Sequence, residues 1–119
     1  MNTLQNGQQG EQAACDYLQR LGYRILQRNF RKPCGEVDII AKDKNTLVFI
    51  EVKKRASMAF GGPAAAVTLS KQRKIVLTAQ YYLKENASKF DSIRFDVVCL
   101  LPGKLEHIPN AFYPPRGTF

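Results

Sequence analysis

Residues Gly35–Arg55 read GEVDIIAKDKNTLVFIEVKKR. Two apolar runs rich in β-branched residues flank the polar segment Lys42–Thr46, whose Asp, Asn and Lys content is that of a turn. The stretch therefore predicts a β-hairpin, though without an Asn-Gly pair. Alternation assigns the faces. On the second strand Leu47, Phe49, Glu51 and Lys53 share one side, and Val48, Ile50 and Val52 the other. On the first strand Glu36, Asp38 and Ile40 point one way, Val37 and Ile39 the other. With Lys44 and Asn45 at the tip, Asp38 falls directly opposite Glu51, and Lys53 lies two residues along the same face. Opposed residues have Cβ atoms about 4.5–5.5 Å apart, and like charges there repel. Two carboxylates on otherwise apolar strands call for a positive charge. Lys53 supplies part of it; a divalent cation supplies more.

Asp, a short gap, then Glu-x-Lys across a hairpin resembles the PD-(D/E)XK nuclease superfamily, the restriction-endonuclease-like fold. The match runs through Asp38, Glu51, Val52 and Lys53, with Val37 standing where the pattern has Pro. Further words run from Gly10 to Phe112: GEQAACDYL, GY, IL, RN, GEVDIIA, LVFIEVKKR, FGGP, RFDVV and NAF. Together they are similar to the YraN family of small bacterial endonuclease-like proteins. The resemblance implies the fold and a catalytic set of Asp38, Glu51 and Lys53, with the main-chain carbonyl of Val52 completing a metal site. Asp38 and Glu51 are hard oxygen donors suited to Mg²⁺ or Mn²⁺, which bind through one or two carboxylates and keep several waters. Lys53 would orient or deprotonate the attacking water and stabilise the developing charge.

Size and charge frame this reading. A chain of 119 residues fits one domain, with residues 1–7 and 113–119 expected as loose tails. No run of 18 or more apolar residues is present and the first residues lack a signal-peptide pattern, so no membrane association is expected. Cys15, Cys34 and Cys99 are odd in number, widely spread and without a CxxC pair, which reads as free thiols in the cytoplasm. The net charge of +8 predicts attraction to polyanions, nucleic acid first.

Residues from Gln8 to Leu21 carry Ala14, Tyr17, Leu18 and Leu21 at helical spacing, with Gly22 as the stop. Glu11 sits at the leading end of that stripe. It either favours the helix N-terminus through the macrodipole or leans toward Asp38 and Glu51, as the first-helix Glu of resolvase-like superfamily members does. Tyr23–Phe30 reads as a strand. Arg28, Arg31 and Lys32 on and after it are either an ordinary wet edge or phosphate contacts. Glu36 either assists the metal through water or pairs with a neighbouring Arg.

Lys54 and Arg55 close the hairpin and are expected as nucleic-acid contacts. Gly61, Gly62 and Pro63 then interrupt regular structure, in a segment that either closes over substrate or merely connects. Leu69–Asn86 reads as a helix with an apolar face of Ile75, Val76, Ala79, Tyr82 and Leu83, capped by Thr68 or Ser70. Its first turn is basic, which opposes the macrodipole unless a phosphate binds there. Lys71 and Gln72 are expected to face the site, with Lys74 as a further phosphate contact. Ile93–Leu101 reads as a strand buried on both faces, hence central or parallel. Arg94 and Asp96 on it are expected to satisfy each other, and Lys104–Ile108 forms a last strand. His107, the only His, reads as structural.

The expectation is a mixed central sheet flanked by helices, in order α-β-β-β-α-β-β. The function expected is a Mg²⁺- or Mn²⁺-dependent, structure-selective DNA endonuclease of resolvase-like type, DNA being favoured over RNA. A homodimer is an expectation because proteins of this fold often work as dimers. The alternative is a non-catalytic basic nucleic-acid-binding module acting with a partner protein.

Overall fold

The hairpin forms where the alternation places it. β2 (Gly35–Asp43) and β3 (Thr46–Lys54) pair antiparallel, with Asp43 facing Thr46 across a two-residue turn. Lys44, first in that turn, takes φ 55°. The computed structural model describes residues 3–56, 67–87 and 89–119, with side chains from residue 9 on.

β1 (Arg24–Lys32) pairs antiparallel with β2, β4 (Ser92–Leu101) runs parallel to β3, and β5 (Lys104–Phe112) returns antiparallel to β4. The five-stranded mixed sheet has order β1-β2-β3-β4-β5. Its one parallel step needs a crossover, and α2 (Leu69–Glu85) lies within it. With α1 (Thr3–Arg20) in front, the element order is α-β-β-β-α-β-β, as expected.

The helices cover opposite faces. Ala14, Cys15 and Leu18 of α1 pack with Ile39, Ala41, Val48, Ile50 and Val98. Ile75, Val76, Ala79 and Tyr82 of α2 pack with Leu47, Phe49, Phe95 and Val97. Aromatic contact dominates the α2 side: Phe95 stacks on Phe49 at 5.6 Å and on Phe112 at 5.1 Å, and Tyr82 meets Phe30 edge-on at 5.4 Å. Phe95, Val97 and Val98 are almost wholly buried, so β4 is covered on both faces, as its apolar run requires.

Local chemistry sets the ends of the helices. Thr68 holds an extended backbone and its hydroxyl accepts the Lys71 N–H at 3.2 Å, capping α2. Gly22, at φ 94°, ends the α1 segment. Leu21 was expected on the apolar stripe but is half exposed. The helix has stopped at Arg20, and Tyr23 takes the buried place instead. The helix also begins at Thr3, ahead of the expected Gln8.

Two glycines allow close approach. A Cβ on Gly10 would stand 2.6 Å from Leu100 Cδ1, which brings the middle of α1 against β4. A Cβ on Gly35 would stand 3.1 Å from both Lys74 Cβ and Thr78 Oγ1, which seats the β1–β2 turn on α2. The C-terminal residues fold back on their own chain, with Gln80 Nε2 donating to Thr118 O at 3.4 Å and Phe119 meeting Phe95 at 6.1 Å. Among the described residues no helix is long and apolar enough to cross a membrane.

Candidate active site

The β2–β3 ladder ends at the Ile39–Ile50 pair, one step short of the direct Asp38–Glu51 pairing expected from the sequence. Beyond it the Asp38 carboxylate accepts the Val52 N–H at 2.8 Å. Two carboxylates at ladder distance would repel; the regular ladder stops before that pair, and Asp38 stays bonded to β3.

The outer strand bends at the same level. Between the Arg28–Ile39 and Phe30–Val37 pairs, Asn29 lies across from Asp38, and it takes a left-handed φ of 53°. Arg28 reaches α1, whereas Phe30 enters the α2-side core. Ile39 belongs to the α1-side core and Val37 to the α2-side core. The expectation that Val37 shares a face with Ile39 is therefore corrected: the matched kink at Asn29 and Asp38 breaks the alternation in both strands.

Charge at the kink is unevenly met. Glu51 is buried at 4% exposure. Lys53 Nζ lies 3.3 Å from its Oε1, and Lys71 Nζ, from the first turn of α2, lies 3.7 Å from the same oxygen. Glu51 Oε2 is buried and has no hydrogen-bond partner. Burial, then the charge of Glu51, pushes the Asp38 carboxyl up from 3.8 to about 7. The Val52 N–H opposes that shift and does not offset it, while Glu36 and Glu11 add to it. Both ammonium groups thus serve one oxygen, leaving an electron-rich side formed by Glu51 Oε2 and Asp38. An orphaned buried carboxylate oxygen beside a carboxyl that resists ionisation fits a hard divalent cation. Among the described residues no group of three or more His, Cys, Asp or Glu is arranged to hold an ion, so a cation here could draw on two carboxylates, Asp38 and Glu51. That suits Mg²⁺ or Mn²⁺ better than an ion needing a full protein cage.

The other expected site residues divide by partner. Glu11 accepts from Arg28 Nε at 3.1 Å and from Asn29 Nδ2 at 2.9 Å, and Arg28 Nη1 also donates to Gln12 at 2.8 Å. Arg31 pairs with Glu36 at 2.9 Å and Lys32 with Glu85 at 2.7 Å. Arg28, Arg31 and Lys32 are therefore engaged within the chain. Lys54 and Lys74 are exposed beside the site end of the sheet, and among the described residues neither has a carboxylate partner. Arg55 anchors its N–H on Leu100 O at 3.0 Å, and its Nη1 donates to Lys54 O at 3.3 Å. Gln72 donates to Val67 O at 3.0 Å, so its amide braces the approach to α2. The substrate-closing segment around Gly61, Gly62 and Pro63 lies outside the described residues.

On the opposite face stands a cluster that sequence reasoning reached only in part. Asp96, fully buried, accepts from Arg94 Nε at 2.9 Å and Nη2 at 3.0 Å and from the Asn110 N–H at 3.0 Å. His107 Nε2 stands 2.8 Å from it, and His107 Nδ1 lies 3.3 Å from the Tyr17 hydroxyl. Arg94 also reaches Asp43 and the Tyr23 hydroxyl. Hydrogen bonds from His107, Arg94 and Asn110 outweigh burial and hold the Asp96 carboxyl below its ordinary value. Arg94 and Asp96 satisfy each other as expected. His107, read as structural, has partners that sequence could not name. Asn29 was not singled out; an Asn inside a strand-like run was the available signal, because Asn is depleted in strands.

The sequence model of the uncharacterised protein family UPF0102 matches residues 10–100. A UPF0102 protein of Thermodesulfovibrio yellowstonii is 47% identical over 113 residues, covering 95% of this chain and 100% of its own. One of Clostridioides difficile is 43% identical over 114 residues, covering 94% and 100%. One of Clostridium botulinum is 54% identical over 114 residues, covering 89% and 92%.

Proposed function

We propose, from the premise that the chain belongs to UPF0102, the endonuclease-like YraN family of PD-(D/E)XK type, that it is a metal-dependent nuclease. The observation that carries the reading is the partnerless, buried Glu51 Oε2 beside an Asp38 carboxyl raised to about 7. Asp38 and Glu51 would hold Mg²⁺ or Mn²⁺, with the Val52 carbonyl completing the protein's share. When bound, the ion supplies an activated water, neutralises charge on the phosphoryl oxygens and stabilises the leaving oxygen.

The chain's own residues do the rest. The Val52 N–H fixes one Asp38 oxygen, so the carboxylate keeps its direction. Lys53, tethered to Glu51 Oε1, presents an ammonium where negative charge grows on the phosphoryl oxygens, and it orients the attacking water. Lys71 adds a second ammonium at the N-terminus of α2, where free backbone N–H groups also favour phosphate. Lys54 and Lys74 extend this basic rim.

Contacts of this kind read phosphates and not bases, so the substrate is structure-selected DNA, branched or duplex, with a homodimer addressing its two strands. We place the protein in the cytoplasm, on its three unbridged cysteines. The test is cleavage of duplex, single-stranded, branched and flap DNA and of RNA with Mg²⁺, Mn²⁺ or EDTA, beside Glu51→Gln and Lys53→Ala. Cutting that needs metal and disappears in both variants is the expected result. Salt-sensitive binding without cutting, unchanged in either variant, would make the chain a basic binding module acting with a partner protein.

A further inference from the structure

Asn29 is an exposed residue within an edge strand, a setting that disfavours Asn. Its φ of 53° lies in the left-handed region, which Asn tolerates better than most L residues. With the backbone so turned, the side chain meets α1, where Nδ2 donates to Glu11 Oε1 at 2.9 Å. Arg28 Nε donates to the same oxygen at 3.1 Å. Neither donor takes Oε2. Asn29 also lies across the ladder from Asp38, so the residue that grips Glu11 belongs to the kink that presents Asp38. Glu11 is close enough for its charge to be felt at Asp38. Gly10, beside it, lets α1 approach the sheet.

We propose that Asn29 is a positioning residue, which fixes one oxygen of Glu11 so that the other faces the Asp38–Glu51 site and accepts a hydrogen bond from water there. The inference rests on the nuclease reading. Because Asp38 and Glu51 would hold the ion with few protein ligands, the waters that complete the site would need a fixed acceptor, and Glu11 is the carboxylate held there. Outer partners of this sort commonly change metal affinity by about 10–100-fold when removed. Glu11 alone would swing with its long side chain; with Asn29 and Arg28 on one oxygen it has one direction.

The experiment measures Mn²⁺ affinity calorimetrically in the full chain, for wild type, Asn29→Gly, Glu11→Gln and the double variant. Glycine accepts the left-handed backbone, so Asn29→Gly removes the amide and keeps the kink, and thermal unfolding checks that each variant is folded. The expected result is about a 10-fold rise in Kd for Asn29→Gly and for Glu11→Gln, with no further rise in the double variant. A merely structural Asn29 would give effects that multiply. Equal Mn²⁺ affinity in wild type and Asn29→Gly, or a multiplicative double variant, overturns the assignment and leaves the nuclease reading intact. A wild-type chain that takes no Mn²⁺ overturns both.

Discussion

Asp38 makes the electrostatics of the site measurable without any substrate. Burial and the neighbouring Glu51 charge hold its carboxyl at about 7 in place of 3.8. A folded pKa above the unfolded one means that the native state binds the proton more tightly. Stability from this group is therefore full at acid pH and falls as pH rises through the interval between the two values. Integrating that linkage from pH 5 to 7.5 gives a loss of about 2.5 kcal/mol. For a domain of this size the loss corresponds to about 10 °C in Tm. Asp38→Asn keeps an acceptor for the Val52 N–H and removes the titration, so the difference between wild type and variant isolates this one group. Thermal unfolding in EDTA across pH 5–7.5 should show wild type losing about 2.5 kcal/mol relative to Asp38→Asn. Addition of Mg²⁺ at pH 7.5 should then restore wild type and leave the variant unmoved. Parallel pH curves for the two proteins would refute the reasoning, because Asp38 would then be an ordinary carboxylate. A pH loss that Mg²⁺ does not reverse would keep the electrostatics and remove the ion.

The buried cluster on the opposite face titrates with the other sign. Asp96 is held below its ordinary pKa, so its contribution is present above the usual carboxylate range and is lost as pH falls through the lowered folded value. Asp96→Ala should cost about 3–5 kcal/mol in urea unfolding by stranding Arg94 and the Asn110 N–H; a loss under 1 kcal/mol would mean water replaces the carboxylate. Gly35→Ala forces a Cβ to within 3.1 Å of Thr78 Oγ1 and Lys74 Cβ, and chemical denaturation should show about 1–3 kcal/mol of destabilisation. An unchanged midpoint would mean that the turn can lift off α2.

Much of this was legible in the sequence because it repeats. Alternation from Leu47 to Lys53 placed Glu51 and Lys53 on one face, and the structure puts their charged atoms 3.3 Å apart. The 3.6 period from Ile75 to Tyr82 marked α2, and of the two caps the sequence offered, Thr68 and Ser70, the structure uses Thr68. The strongly apolar run of β4 pointed to cover on both faces and a central or parallel place, and β4 is covered on both faces and runs parallel to β3. What was hidden is what departs from a period. Alternation assumes a constant pleat, so it assigned Val37 to the face of Ile39 and could not register the turn at Asn29. It also says nothing of partners far along the chain, such as Glu11 with Arg28 or His107 with Asp96 and Tyr17. Those contacts exist because helix and strands are packed together, and no local window contains both members.

The departure from regularity and the site share a cause. A regular ladder would oppose Asp38 and Glu51 and bury two like charges in contact. The ladder ends at Ile39–Ile50, before that pair, and β1 stays paired with β2 while turning left-handed at Asn29. The bend gives the Val52 N–H to Asp38 in place of a ladder carbonyl, and it brings Asn29 to Glu11. Lys53 and Lys71 both settle on Glu51 Oε1, and its other oxygen stays bare. A sheet selected only for stability would have closed the ladder with apolar residues and no left-handed Asn. A left-handed Asn and an unmet carboxylate concentrated at one level of one hairpin are what the proposed cation site would use. On this argument the kink is the part of the fold that makes the site, and straightening β1 at Asn29 would remove Glu11 and Asp38 from it together.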